Sequence, residues 1–255
     1  ENSIFRTVSS RTKGLETLQK LQTELRKFRP VSAAALAELS PIVVEDLTAW
    51  LTAKLPLISS SPNDILQVVA GTTALTQPEQ TALLAAEIGV VIDPALLLAE
   101  TPGPNRMRAL YRAVVSHLSK NVVVLHLATA LSLDVALVDA LLREILSLPD
   151  NPGIPAIEGF LSEAFVIDAP DILDEAPTAV AAVMLLLGKL ALVFQRLDVT
   201  PAEARSLIEQ AAVRGWLDLR TLPTGLNDTA ASIEAWLALI EAIDLRRTRL
   251  PRDVT

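Results

Sequence analysis

LVFQRLDVTPAEARSLIEQAAVRGWLDLRTLP, residues Leu192–Pro223, reads as the end of one helix, a turn, a second helix and an exit. An apolar helix ends at Arg196-Leu197, and Thr200-Pro201-Ala202-Glu203 caps the next. The threonine hydroxyl accepts from the amide of the third helical residue, proline takes the first helical position, and the glutamate reaches back to the cap. The capped helix places Ala204, Leu207, Ile208, Ala211 and Ala212 on one face, and Gly215 stops it. A weaker copy lies 64 residues upstream, where Leu133-Asp134-Val135 parallels Leu197-Asp198-Val199.

The same punctuation recurs along the chain. Ser40-Pro41, Ser61-Pro62, Asp93-Pro94 and Thr200-Pro201 each put proline just inside a helix start, and Thr76-Gln77-Pro78-Glu79 is a variant capping box. Such signals divide the chain into short helices joined by tight turns, the spacing of an all-α protein. Period-2 alternation is nearly absent, with Val90-Val91-Ile92 and Val122-Val123-Val124 the only β-leaning runs. The predicted fold is therefore all-α, an elongated solenoid-like stack of antiparallel helix pairs with irregular repeats. Residues 149–155 hold three prolines and a glycine, and residues 101–104 form a second break. This predicts an N-terminal helical segment over 1–148, a proline-rich break over 149–155, and a C-terminal helical segment over 156–255 packed on the first.

Individual helices differ in how much of their girth is apolar. Residues 12–29 carry Leu18, Leu21, Leu25 and Phe28 on one stripe, as a peripheral helix docking by one side does. Residues 134–148 predict a helix with only a narrow polar stripe (Asp139, Ala140, Arg143, Ser147), sandwiched between layers. AVAAVMLLLGKLALVF, residues 179–194, is the most apolar run, yet as a helix it is about 24 Å long. That falls short of the roughly 30 Å hydrocarbon core, and Lys189 interrupts it, so it predicts a buried central helix.

Hydrophobic residues make up 51% of the 255 and aromatics only 4%, so the core is built from Leu, Ala, Val and Ile. So much apolar content predicts burial against neighbouring domains or protomers. The net charge is −8, but residues 1–30 hold seven Lys/Arg against three acids, and residues 246–255 hold four Arg against one Asp. The acidic middle argues against nucleic acid, which requires a basic stripe. The basic ends (Arg26-Lys27-Phe28-Arg29 and Arg246-Arg247-Thr248-Arg249) read as solvated helix termini. The chain opens on Glu1 and has no signal-peptide pattern, and reads as a processed or excised piece.

The chemistry-bearing residues form no constellation. There is no cysteine, hence neither disulfide nor thiolate metal site. His117 and His126, nine residues apart on one helix, fall on opposite faces and read as packing or surface residues. Asp168, Asp171, Asp174 and Glu175 lack the order of a calcium loop and read as a solvated first turn. Arg106, Arg108 and Arg112 read as partners for neighbouring acids, and Trp50, Trp216 and Trp236 as core anchors. No nucleophile elbow or glycine-rich phosphate loop occurs. The expectation is no catalytic residue, no cofactor-binding residue, no metal ligand, no cofactor and no enzyme.

RALYRAVVSHLSKNVVVLHLATALSLDVALVDALLREI (residues 108–145) resembles the helix pairs in the A components of tripartite Tc (ABC) insecticidal toxin complexes. FQRLDVTPAEARSLIEQ, GWLDLRTLP and IEAWLALIEAIDLRRTRLP, in that order within 192–251, are similar to the same family's α-helical shell. The resemblance spans about 145 of the 255 residues, and residues 1–104 add little to it. It implies a non-enzymatic structural fragment of a secreted bacterial virulence factor. Such a fragment is a wall piece of the shell around the translocation channel in a homo-pentameric, pore-forming subunit. Its partners would be other domains of the same large chain, neighbouring protomers and, through the full subunit, the toxin B–C cocoon. Membrane contact would come only through other parts of the parent protein. Two other classes fit the residues: a stand-alone helical adaptor binding a protein partner, and a helical pocket for an apolar ligand. The adaptor lacks a fixed-period repeat, and the pocket lacks convergent polar groups.

Overall fold

A computed structural model describes residues 2–27, 41–88, 102–162, 164–168, 178–224 and 228–249. Helices dominate the described residues: α1 (Asn2–Arg26), α2 (Pro41–Lys54), α3 (Pro62–Ala70), α4 (Gln77–Ile88), α5 (Pro102–Leu131), α6 (Val135–Ala140), α7 (Ala156–Leu161), α8 (Thr178–Arg196), α9 (Pro201–Arg214) and α10 (Ile233–Arg249). Single turns interrupt them at Leu55–Leu57 and Leu219–Thr221 (3₁₀) and at Leu141–Ile145 and Ala164–Asp168 (π). The described residues are all-α apart from a short hairpin. By compactness the chain divides into two units, one of residues 1–22 and 123–255 and the other of residues 23–122, so both boundaries fall inside helices. The proline-rich stretch 149–155 lies within the first unit.

In the unit of residues 23–122, α2, α3, α4 and the first part of α5 share one core. Leu51, Leu55, Ile65, Val68, Leu84, Ile88, Leu110 and Val114 are buried together. Leu47, Tyr111 and Val115 form a second cluster beside it, where the Trp50 and Tyr111 rings lie 5.0 Å apart and tilted by 59°. Trp50 is thus the aromatic anchor its sequence context predicts.

The other unit carries the helix–turn–helix pairs. Thr200 is the N-cap of α9: its hydroxyl accepts from the Glu203 amide, and the Glu203 carboxylate accepts from the Thr200 amide at 2.7 Å. Gly215 ends the helix at φ 67°, a left-handed conformation in which a side chain is strained. Replacing Thr200 by alanine removes one acceptor of that box and is expected to lower stability by about 1 kcal/mol. Denaturant unfolding of Thr200→Ala beside Thr200→Ser checks this, since serine keeps the acceptor.

The upstream pair follows the same plan in a different register from the one its sequence parallel gives. Ser132 at φ 53° and Asp198 at φ 46° are the left-handed residues of the two turns. Beyond them the Leu133 amide donates to the Ala128 carbonyl at 3.0 Å, and the Val199 amide to the Phe194 carbonyl at 2.9 Å. Both are the six-to-one bond that closes a helix C-terminus. Asp134 then caps α6, its carboxylate accepting from the Leu137 amide at 3.1 Å, as Thr200 caps α9. The structural equivalents are therefore 132 with 198 and 134 with 200. Asp134 and Asp198, aligned by sequence, do different work. The two pairs lie side by side: Gln195 Nε2 donates to the Leu131 carbonyl at 3.0 Å, and Arg205 reaches Glu144.

Three expectations need correction. The helix expected over 134–148 stops at Ala140 and relaxes into a π turn, because Leu146 is extended (ψ 140°) and Ser147–Leu148 enters the hairpin. The proline-rich stretch is no mere break. Asn151–Pro155 pairs antiparallel with Ser147–Leu148, a pairing made by backbone rather than by side-chain alternation. Finally, α8 is not buried all round. Val180, Val183, Leu187, Leu190 and Phe194 are covered, but Leu185 and Leu192 are exposed. The helix is also longer than expected. Both it and Met107–Leu131 have the length and composition to cross a membrane, as the core helices of soluble proteins also do. In α1, Leu18, Leu21 and Leu25 are buried as expected, while Phe28 lies outside the described residues.

Candidate functional site

The densest polar cluster among the described residues is a carboxylate surrounded by serines. Glu87, at the end of α4, accepts from Ser59 Oγ (2.6 Å), Ser60 N (2.7 Å), Ser60 Oγ (2.9 Å) and Ser61 N (3.3 Å). Ser61 is the N-cap of α3 but makes no side-chain cap of its own. Glu87 therefore serves that helix from a distance, its negative charge lying where the amides and the helix dipole favour an anion. The Ser59 and Ser60 hydroxyls, with the backbone amides, hold its carboxyl below the usual glutamate range. A carboxylate so well solvated by donors is a poor base, which makes this cluster a clasp rather than a catalytic centre.

The sign of its pH dependence follows from that direction. Because the folded state lowers the pKa, the clasp contributes fully above the unfolded value of 4.5 and is lost as pH falls through the lower folded value. Unfolding measured between pH 7 and pH 3 is expected to show an acid-side loss of stability that Glu87→Gln reduces. An unchanged acid limb in that variant would show that the clasp does not carry it.

A second polar feature is buried. Gln22, 6% exposed, donates from Nε2 to the Phe165 carbonyl at 2.8 Å. That carbonyl belongs to the π turn 164–168, and the glutamine supplies it with a buried partner. Lys189, the cation inside the apolar α8, turns its ammonium onto the Pro223 carbonyl. Its role is to anchor the exit of GWLDLRTLP, not to interrupt the helix.

That nine-residue stretch has a local explanation throughout. Leu217, Leu219 and Leu222 point into the unit, while Asp218 caps the 3₁₀ turn by accepting from the Arg220 amide at 3.0 Å. The same carboxylate holds the Arg220 guanidinium through two nitrogens, at 2.9 and 2.8 Å, which lowers the aspartate's pKa. Every side chain of the motif that looks chemical is spent on the turn.

The remaining candidates are dispersed. His126 is partly buried, and His117, nine residues earlier on α5, has its own interaction partner. Arg108 is partly buried and engaged, Arg112 is exposed, and the side chain of Arg106 lies outside the described residues. Asp171, Asp174 and Glu175 lie outside the described residues, as does the side chain of Asp168. Trp216 and Trp236 are half-buried. Lys27 pairs with Glu24 at 2.6 Å and Arg246 with Glu203 at 3.5 Å, so both basic termini contain locally paired cations. Among the described residues no group of three or more His, Asp or Glu is placed to hold a metal. Among the described residues, the structure gathers none of the sequence candidates into one place. The one cluster it does gather was missed, because its carboxylate lies 26 residues along the chain from the serine it serves.

No known protein family, curated protein or solved structure matches this chain.

Proposed function

We propose that the chain is a structural wall segment, part of the helical shell of the A component of a tripartite Tc-type toxin subunit. In that role it is non-enzymatic and is covered by other domains and neighbouring protomers. The observation that carries this reading is the side-by-side arrangement of two helix–turn–helix pairs, with equivalent turns at 132–134 and 198–200 and links from Gln195 to Leu131 and from Arg205 to Glu144. Repeated pairs joined through their turns are how helical walls extend. Large apolar side chains left in water are a second support. Val213 is 85% exposed and Ile233 77%, and Leu237 and Leu57 are open as well. A stacked wall would cover these; an isolated domain gains nothing from them.

The test is the size of the parent polypeptide. An antibody against residues 192–250, used on lysate and medium of the source cells, should reveal a band many times heavier than the 27.4 kDa of this chain. A band near that mass would overturn the wall reading and leave a stand-alone helical adaptor.

A further inference from the structure

The outer face of α8 carries Ala181, Leu185, Gly188 and Leu192 at spacings of four, three and four, the seam spacing of paired helices. Leu185 is 45% exposed and Leu192 59% exposed. A Cβ on Gly188 would meet nothing within 4 Å, so the space over this point of the seam is open. Large and small residues alternate along it in an order that is its own complement. When two such helices run antiparallel about a two-fold axis between residues 186 and 187, Leu185 of each faces Gly188 of the other, and Leu192 faces Ala181. Each leucine then has a small residue opposite, the condition for close interdigitation of facing layers.

We infer that α8 is a self-association surface whose occupant is a second copy of this chain, docked as an antiparallel helix pair. Electrostatics permit it. The α8 segment contains no acid, Lys189 is turned onto Pro223, and the register places Lys189 opposite Met184 rather than opposite another cation. The exposed stripe on α10 offers no comparable match. There Ile233, Leu237 and Ile240 would meet bulk with bulk, with no small residue in the seam. One helix stripe supplies less than the roughly 800 Å² per partner of a standard interface, so the dimer is reversible and concentration-dependent. The pairing does not rest on the wall reading, because a parent chain of any size leaves it to stand or fall on its own data.

Sedimentation velocity on the full chain is expected to show a mass rising towards twice the monomer's with concentration. Leu192→Glu, which puts charge on an exposed position, should weaken dimerisation at least tenfold without changing helical content. Gly188→Leu, which fills that space, should do the same. The absence of native cysteine allows a test of register. A mixture of Ala181→Cys and Leu192→Cys proteins should cross-link under mild oxidation. Leu192→Cys alone should not, since its two copies lie about 16 Å apart along the axis of an antiparallel pair. A monomer at every concentration, association indifferent to Leu192→Glu, or preferential self-linking of Leu192→Cys would each overturn the inference.

Discussion

Replacing Phe160 by alanine is expected to cost about 3–5 kcal/mol, the largest effect of any single truncation considered for this chain. Phe160 is fully buried in α7, a helix of six residues that touches the Ser147–Leu148 strand, both π turns and α8. Its ring meets Phe165 edge-on, with centroids 5.9 Å apart and planes at 83°, a geometry that contributes about 0.5–1.5 kcal/mol beyond area burial. So short a helix has too few internal hydrogen bonds to stand alone, and packing must hold it. Removing the ring leaves a cavity bordered by Phe165, whose carbonyl is already held by Gln22, so collapse into the void is restricted. Denaturant unfolding should show a lower midpoint with an unchanged slope. A double-mutant cycle with Phe165→Ala isolates the ring pair, and Phe160→Leu should recover most of the loss. A loss below about 1 kcal/mol would mean that the site collapses freely, contrary to the packing described.

The local punctuation of the fold was legible, because it is written within four residues. Thr200 and Glu203 form their box, Gly215 takes the left-handed turn, and Pro41, Pro62 and Pro201 open helices as their preceding residues predict. Part of what the sequence concealed depends on residues far apart in the chain. Glu87 caps α3 from the end of another helix, and no spacing rule connects it to Ser59, Ser60 and Ser61. The hairpin at 147–155 escaped because its pairing is made by backbone groups of a stretch whose side chains show no alternation. The apolar run 179–194 predicts a buried central helix. Hydrophobicity records what can be buried, not what the same chain supplies to bury it, and Leu185 and Leu192 stay in water. In the candidate site, the residues that the sequence singles out stay dispersed where they are described, and Glu87, which the sequence does not single out, is the one the serines gather around. Among the described residues, Asp134, Glu203 and Asp218 are engaged in caps and turns, and Glu87 serves the start of a helix it does not belong to.

The stretch GWLDLRTLP consists of three buried leucines and an Asp–Arg clamp around one turn, fastened at its end by Lys189. Its residues serve the turn locally, whereas the helices on either side need only keep an apolar face, which many sequences satisfy.

Gly159→Val is the second large effect expected, and its cause is steric. A Cβ at this position of α7 would lie 2.6 Å from Leu148 Cδ2 and 3.5 Å from Val180 Cγ2, so the glycine is what lets the hairpin and α8 close on α7 together. Alanine brings two opposing terms. Its lower unfolded-state entropy gains about 0.5–1 kcal/mol in a helix, while overpacking costs about 1–3 kcal/mol. The first obstacle is the tip of a flexible leucine, so the cost lies at the low end and Gly159→Ala should be destabilising by no more than about 1 kcal/mol. Valine adds branches that crowd Val180 as well, a β-branched side chain already in van der Waals contact, and should cost about 3 kcal/mol. The two obstacles can be separated. Leu148→Ala in the Gly159→Ala background should restore stability relative to the sum of the single changes, whereas in the Gly159→Val background it should restore only part. Additive losses in the alanine pair would show that Leu148 is not what Gly159 makes room for.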